Sequence, residues 1–210
     1  MLPDTIIVSP LELPGHGLRI QEELLFSLDD MVEDLQLQIA QDNPRRFAFF
    51  GHSMGGYLAY LLSLRLHQES KPLPIHLLVS SNRSPSRPVR EAGFHLLPET
   101  ELIKQLQDMG GSQPGFFTNR DLLDLFIPIL RADFHALSDY SYQSAAPLPI
   151  PMTILWGNVD NIKREEVQCW QLETSIDLNL IERPGGHFFI LDQFTEIAQI
   201  ICAALLVDVE

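Results

Sequence analysis

Phe47-Ala-Phe-Phe-Gly-His-Ser-Met-Gly-Gly-Tyr-Leu-Ala-Tyr60 is the stretch on which the fold turns. The apolar run at 47–50 predicts a buried strand. It enters Gly51-His52-Ser53-Met54-Gly55 without a break, and Tyr57, Leu58, Leu61, Leu62 and Leu64 then recur at helical spacing. A strand, a sharp G-x-S-x-G turn and a helix form the context in which the serine is lifted clear of the sheet as a nucleophile. Such a turn is strained, and glycine is expected at both Gly51 and Gly55 because a side chain would collide with strand or helix. The backbone N–H of Met54, at the helix start, would face an oxyanion formed beside Ser53. The competing reading of the pentapeptide is a glycine-rich turn with Ser53 as a helix N-cap; the flanks and the partners downstream argue against it.

A serine hydroxyl is a weak nucleophile at neutral pH and needs a base within hydrogen-bond reach. Hydrolases of the α/β type carry their triad in the order Ser, acid, His. Pro151 to Trp156 reads as a strand that ends in Gly157-Asn-Val-Asp160, which puts Asp160 just past a carboxyl end. Leu178 to Ile181 reads as the next short strand, leading to Pro184-Gly-Gly-His187. His187 would take the Ser53 proton and return it to the leaving group, while Asp160 fixes the imidazole. Asp177 and Asp192 compete for the acid's role. His187 is preferred over His16, His52, His67, His76, His95 and His135 on position and loop type.

The rest of the chain fits the same plan. Thr5 to Val8 predicts a strand and Leu13-Pro-Gly-His-Gly17 a tight loop. Leu28, Met31, Val32, Leu35 and Ile39 predict a helix over 28–41, closed by Asn43-Pro44, and Ile75 to Ser80 predicts another strand. This β/α alternation implies a mostly parallel sheet covered on both faces. It breaks between Asn82 and Ala146. There an Arg-Pro-rich link (Arg83, Arg87, Arg90) precedes one helix through Leu102, Ile103, Leu106 and Met109, and a second through Leu122, Leu125, Phe126, Ile129 and Leu130. Residues 83–146 are read as a helical lid whose inner face lines an acyl tunnel, inserted in a single domain spanning 1–210. A last helix carries Phe194, Ile197, Ile201 and Leu205.

Composition narrows the function classes. A net charge of −14 without a basic run disfavours nucleic acid. No 18-residue apolar run exists, so no membrane-spanning helix is expected, and the N-terminus does not read as a signal peptide. Cys169 and Cys202 form no metal or redox motif, which suits a cytoplasmic protein.

With these pieces assembled, the chain resembles the type II thioesterases of polyketide and non-ribosomal peptide assembly lines, and the medium-chain thioesterases of fatty acid synthesis. The resemblance rests on Leu13-Pro-Gly-His-Gly17, Phe50 to Gly56, Ser80-Ser-Asn-Arg83, Gly110-Gly111, Pro128-Ile-Leu-Arg-Ala-Asp133, Tyr140-Ser-Tyr142, Gly157 to Asp160 and Gly186 to Phe189. It implies an α/β-hydrolase fold, an acyl-Ser53 intermediate and no metal or organic cofactor. The implied substrate is an acyl group on the phosphopantetheine arm of a carrier protein, cleared or released by hydrolysis. The family's first strand and its Pro-x-Ala-Gly-Gly loop have no counterpart before Leu11, so the second oxyanion donor is unassigned and only Met54 N–H is visible. Two other readings stand beside this one: an oxygen-ester carboxylesterase or lipase, and a catalytically weak, truncated carrier-binding protein. Because a −14 chain repels an acidic carrier, docking needs a local basic or apolar patch; Arg83, Arg87 and Arg90 are candidates for a basic one, and a solvated Pro-Arg link is the competing reading.

Overall fold

A computed structural model describes residues 2–112 and 115–206 of the chain; the outermost residues of the expected 1–210 domain and two residues of the expected lid lie outside them. In chain order its elements are α1 (Leu28–Asp42), β1 (Phe49–His52), α2 (Met54–Gln68), β2 (Leu77–Ser80), α3 (Glu99–Met109), α4 (Arg120–Ser138), β3 (Met152–Gly157), α5 (Arg164–Gln168), β4 (Asn179–Arg183) and α6 (Phe194–Leu206).

The four strands of the described residues form one sheet in the order β1-β2-β3-β4, every pair parallel. Pleating sends alternate side chains to opposite faces. Leu77, Val79, Met152, Ile154 and Trp156 pack with Ala59 and Tyr60 of α2, Val167 of α5 and the fully buried Trp170. Leu155 points the other way, onto Phe189 and Ile197 of α6. Helices therefore cover both faces, and each fully buried Leu or Ile adds about 1.5–3 kcal/mol. A third cluster joins Met31, Val32 and Leu35 of α1 to Leu58, Leu62 and Leu66 of α2, Leu102 of α3, and Leu123, Ile127 and Leu137 of α4.

Local signals account for the ends of α1. The Ser27 hydroxyl accepts from the Asp30 N–H at 3.1 Å, and Asp29 and Asp30 favour the positive end of the helix dipole. Asn43 closes the helix in the left-handed region at φ 42°, donating its N–H to the Ile39 carbonyl.

Two expectations fail locally. Thr5–Val8 forms no strand: Ile7 and Val8 are 90% and 67% exposed, and the segment shares no ladder with the sheet. β-branched residues extend only where there is an edge to pair with and a surface to cover. On α4 the core-facing stripe runs through Leu123, Ile127, Phe134 and Leu137, while Leu125 and Phe126 are turned outward. Apolar residues lie on more than one face of that helix, so periodicity does not choose among them.

Candidate active site

Ser53 sits between β1 and α2 at φ 51°, ψ −126°, a conformation that side chains other than glycine adopt only under strain. Neighbouring contacts hold it there. Ser53 N–H donates to the Ser80 carbonyl at 2.8 Å, and the Ser53 carbonyl accepts from Gly56 N–H and from Asn82 Nδ2, each at 2.8 Å. A Cβ on Gly51 would lie 2.1 Å from the Gly55 carbonyl oxygen, which explains the first glycine. The second expected collision is absent, because a Cβ on Gly55 meets nothing within 4 Å. The tight position is Gly56, whose added Cβ would come 2.7 Å from Val79 Cγ1 where α2 crosses β2.

The carboxyl ends of β3 and β4 bring the other two groups to Ser53. A Cβ on Gly157 would lie 2.3 Å from the Gly185 carbonyl oxygen, so the two loops touch through backbone. His187 Nδ1 is 3.0 Å from Asp160 Oδ2, and His187 Nε2 is 3.0 Å from Ser53 Oγ. A carboxylate only accepts, so Nδ1 carries the proton and Nε2 is left to accept from the Ser53 hydroxyl. The side chains of His187 and Asp160 are 6% and 2% exposed. Burial works against ionisation of Asp160, yet the hydrogen bond from His187, the Asn161 N–H and the Arg90 charge together hold its carboxyl below the usual range.

The other histidines lie elsewhere. His52 Nδ1 contacts Ser80 Oγ at 3.2 Å, and its ring is 5.2 Å from that of His187. Burial, with repulsion from His187, pushes its pKa down to about 4, so His52 is neutral. His16 bridges the Pro14-Gly15 loop to α4 through Asp133 at 3.2 Å, and His76 is tied to Thr153 at 2.9 Å. His95 meets His135 of α4 edge to face, with ring centroids 4.8 Å apart. Of Asp160's rivals, Asp177 lies on the approach to β4 and Asp192 follows the His187 turn; neither contacts His187.

Several residues of the site were assigned no role from the sequence, although Ser80 to Arg83 carried part of the resemblance. Ser81, at φ 50°, donates its hydroxyl to the His187 carbonyl at 2.7 Å, while Asn82 next to it holds Ser53. The end of β2 is thus a brace between nucleophile and histidine loops. Arg83 and Arg90, expected to be part of a docking patch, face inward instead: Arg83 Nε is 3.3 Å from Glu166, and Arg90 Nη1 is 3.7 Å from Asp160 Oδ1. Arg87 remains exposed, against Cys169 Sγ.

A narrow crevice of about 20 Å³ opens at Ser53, lined by Met54, Tyr57, Asn82, Arg90, Leu137 and His187 among others. Met54 is the first residue of α2, where backbone N–H groups have no partner within the helix. A larger hollow of about 350 Å³ lies along α2 beyond Tyr57, between Leu28 and Val32 of α1, Leu61 and Leu64 of α2, and Ala136 and Tyr140. Gly111, just after α3, presses on the Phe188 ring, where an added Cβ would come within 2.4 Å. Among the described residues there is no cluster of His, Cys, Asp and Glu able to hold a metal, and no helix long and apolar enough to cross a membrane.

Comparison with known proteins gives a consistent result. The family model of the thioesterase domain matches residues 1–205. The gramicidin S biosynthesis protein GrsT of Aneurinibacillus migulanus is 30% identical over 204 residues, covering 97% of this chain and 80% of that protein. The medium-chain S-acyl fatty acid synthase thioesterase of Homo sapiens is 32% identical, over 92% and 74% of the two chains. Among solved structures, ClbQ from the colibactin NRPS/PKS pathway superposes with a TM-score of 0.91 at 29% identity, covering 97% and 87%. The RedJ thioesterase of Streptomyces coelicolor, from the prodiginine pathway, gives 0.89 at 30%, covering 97% and 82%.

Proposed function

The chain belongs to the thioesterase family, and from that premise we propose that it hydrolyses acyl groups from the phosphopantetheine arm of a carrier protein through an acyl-Ser53 intermediate. The observation that carries this reading is the unbroken run from Ser53 Oγ through His187 to Asp160, 3.0 Å at each step. His187 Nε2 takes the hydroxyl proton as Ser53 Oγ attacks the thioester carbonyl carbon. The tetrahedral oxyanion collapses, the C–S bond breaks, and the proton goes from His187 to the departing pantetheine sulfur. Water then attacks the acyl-serine, giving one proton to His187, and that proton restores the Ser53 hydroxyl as the free acid leaves. Met54 N–H is one donor to the oxyanion, and no metal or organic cofactor enters the chemistry. Asp160 stays ionised and holds the imidazolium in register.

In this reading residues 83–146 are the lid of a single domain, contributing Arg83, Arg90, Glu91 and Leu137 to the crevice, and the protein works in the cytoplasm beside its carrier. The assembly-line and fatty-acid-synthase associations in the relatives' names support a carrier-bound acyl substrate. The test is release of free acid from an acylated carrier protein by the wild-type chain and by Ser53→Ala. Turnover that requires Ser53, and that exceeds turnover of an oxygen ester of the same acyl group, is expected. Equal or better cleavage of the oxygen ester would replace the reading with a carboxylesterase. Carrier binding without turnover or covalent labelling of Ser53 would leave a binding protein.

A further inference from the structure

The two oxygens of Asp160 do different work. Oδ2 faces His187 Nδ1 at 3.0 Å. Oδ1 accepts from the Asn161 N–H at 2.7 Å and has the Arg90 guanidinium 3.7 Å away. The carboxylate is almost wholly buried, and its direct partners besides Arg90 are the His187 imidazole and one backbone N–H. An anion in that setting needs a compensating charge. Arg90 supplies it from outside the sheet framework, from the segment between β2 and α3, and the same side chain lines the crevice at Ser53. We propose that Arg90 is a positioning residue of the triad: by engaging the oxygen that His187 does not use, it supplies a counter-charge to Asp160 and keeps it aligned. The inference rests on the reading of Ser53, His187 and Asp160 as that triad.

The electrostatic consequence has a definite sign. The Arg90 charge is one of the contacts that hold the Asp160 carboxyl below the usual range, against the opposing effect of burial. Other charged or titratable groups facing the cluster are His52, neutral and 5.2 Å from His187, Glu91 in the crevice wall, and the Arg83–Glu166 pair, which is internally compensated. Removing the Arg90 charge lets Asp160 take up a proton at a higher pH. Activity that needs the Asp160 carboxylate then fails at a higher pH.

The experiment follows the rate of Ser53 labelling by a fluorophosphonate, and of hydrolysis of a butyryl thioester of N-acetylcysteamine, against pH. It compares wild type, Arg90→Gln and Arg90→Lys, with thermal midpoints checking that each variant folds. For Arg90→Gln the acid limb of both profiles is expected to move up by about one pH unit, the low end of the effect of a cation a few ångströms from a carboxylate. The plateau should drop about tenfold through loosened alignment. Arg90→Lys should return the limb to its wild-type position while recovering only part of the plateau, because an ammonium restores charge but not the planar fork. A purely structural arginine would lower the plateau or the thermal midpoint without moving the limb, and superimposable limbs overturn the proposal. So does a limb shift in Arg90→Lys as large as in Arg90→Gln. Absence of wild-type labelling at Ser53 would remove the triad on which the inference stands. Labelling without thioester turnover counts against the thioester reading alone, since the labelling profiles still decide the role of Arg90.

Discussion

Gly51 and Gly55 flank Ser53 in one pentapeptide, yet alanine at the two sites should have opposite consequences. A methyl group on Gly51 would lie 2.1 Å from the Gly55 carbonyl oxygen, 2.4 Å from its carbon and 2.6 Å from the Gly56 nitrogen, all backbone atoms. Ordinary contact begins near 3.4 Å, so the start of α2 must retreat from β1 by about 1.3 Å, the difference between the first distance and that value. Ser53 lies on the only connection between those elements, and its Oγ has to stay 3.0 Å from His187 Nε2. Overpacking of this kind costs about 1–3 kcal/mol in stability, and a displacement near 1 Å at a reacting group costs about 10²-fold in rate. A methyl on Gly55 meets open space, in helical backbone with no positive φ. Replacing that glycine by alanine is expected to leave activity within about threefold and to stabilise by up to about 1 kcal/mol from helix propensity. The assay is kcat/KM on an acyl thioester alongside thermal denaturation for Gly51→Ala and Gly55→Ala. Wild-type activity in Gly51→Ala, or equal damage at both sites, would refute the steric account of the elbow.

Three further outcomes follow from single contacts. Asp160→Asn keeps the shape of the loop but turns an acceptor toward or a donor against His187 Nδ1; kcat should fall by about 10⁴-fold while Ser53 remains present and the fold intact, and a loss under tenfold in the thioester assay would move the acid's role elsewhere. His16 has the Pro14 carbonyl at 3.0 Å on Nδ1 and the Asp133 carboxylate at 3.2 Å on Nε2. Both are acceptors, so the imidazolium is favoured, and the Asp133 hydrogen bond raises its pKa against the opposing effect of burial. The stabilisation is therefore complete below pH 6.5, the ordinary value, and fades as pH rises through the raised value. Urea midpoints of wild type should fall across that interval and those of His16→Gln should not, while parallel curves would show that His16 carries no charge in the fold. Tyr60 donates its hydroxyl to the buried Glu173 at 2.5 Å. Tyr60→Phe removes the short partner of Glu173 Oε2, leaving the Ser84 hydroxyl at 3.5 Å on Oε1, and should destabilise by about 1–3 kcal/mol, read as a lower denaturation midpoint; an unchanged midpoint would mean that Glu173 is satisfied without it.

What the sequence revealed and what it concealed divide along a physical line. Elements set by local pattern were legible: the 3.6-residue period of α1, the apolar runs of β2 and β3, and the strand–turn–helix at Ser53. The juxtaposition of Ser53, Asp160 and His187 was legible too, because each sits just past the carboxyl end of a strand in a parallel sheet, and chain order with loop type brings the three side chains together before any contact is known. Thr5–Val8 has strand composition, but composition cannot supply a partner edge. The stripe on α4 was misjudged in part: Ile129 is buried and Leu130 packs on the core as expected, but Leu125 and Phe126 satisfy helical spacing as well as Leu123, Ile127, Phe134 and Leu137 do, and the choice is made by what packs against the helix.

The groups that brace the proposed triad belong to a different class. Ser81 reaches the His187 carbonyl across 106 positions and Asn82 reaches Ser53 across 29; Arg90 meets Asp160 from the opposite side of α3 and α4 in the chain. An arginine beside a proline-rich link has the sequence appearance of a solvated surface charge, and net charge invites its use as a docking patch. Only the location of a buried carboxylate oxygen distinguishes a patch from a counter-ion. The same contact bears on electrostatics at long range: with Arg83 and Arg90 committed to Glu166 and Asp160, the repulsion between a −14 chain and an acidic carrier is not relieved at the entrance by those two side chains. On the proposed carrier reading, approach rests on apolar contact and on Arg87, which is exposed beside Cys169, so association of an acidic carrier should quicken as salt screens the repulsion rather than slow.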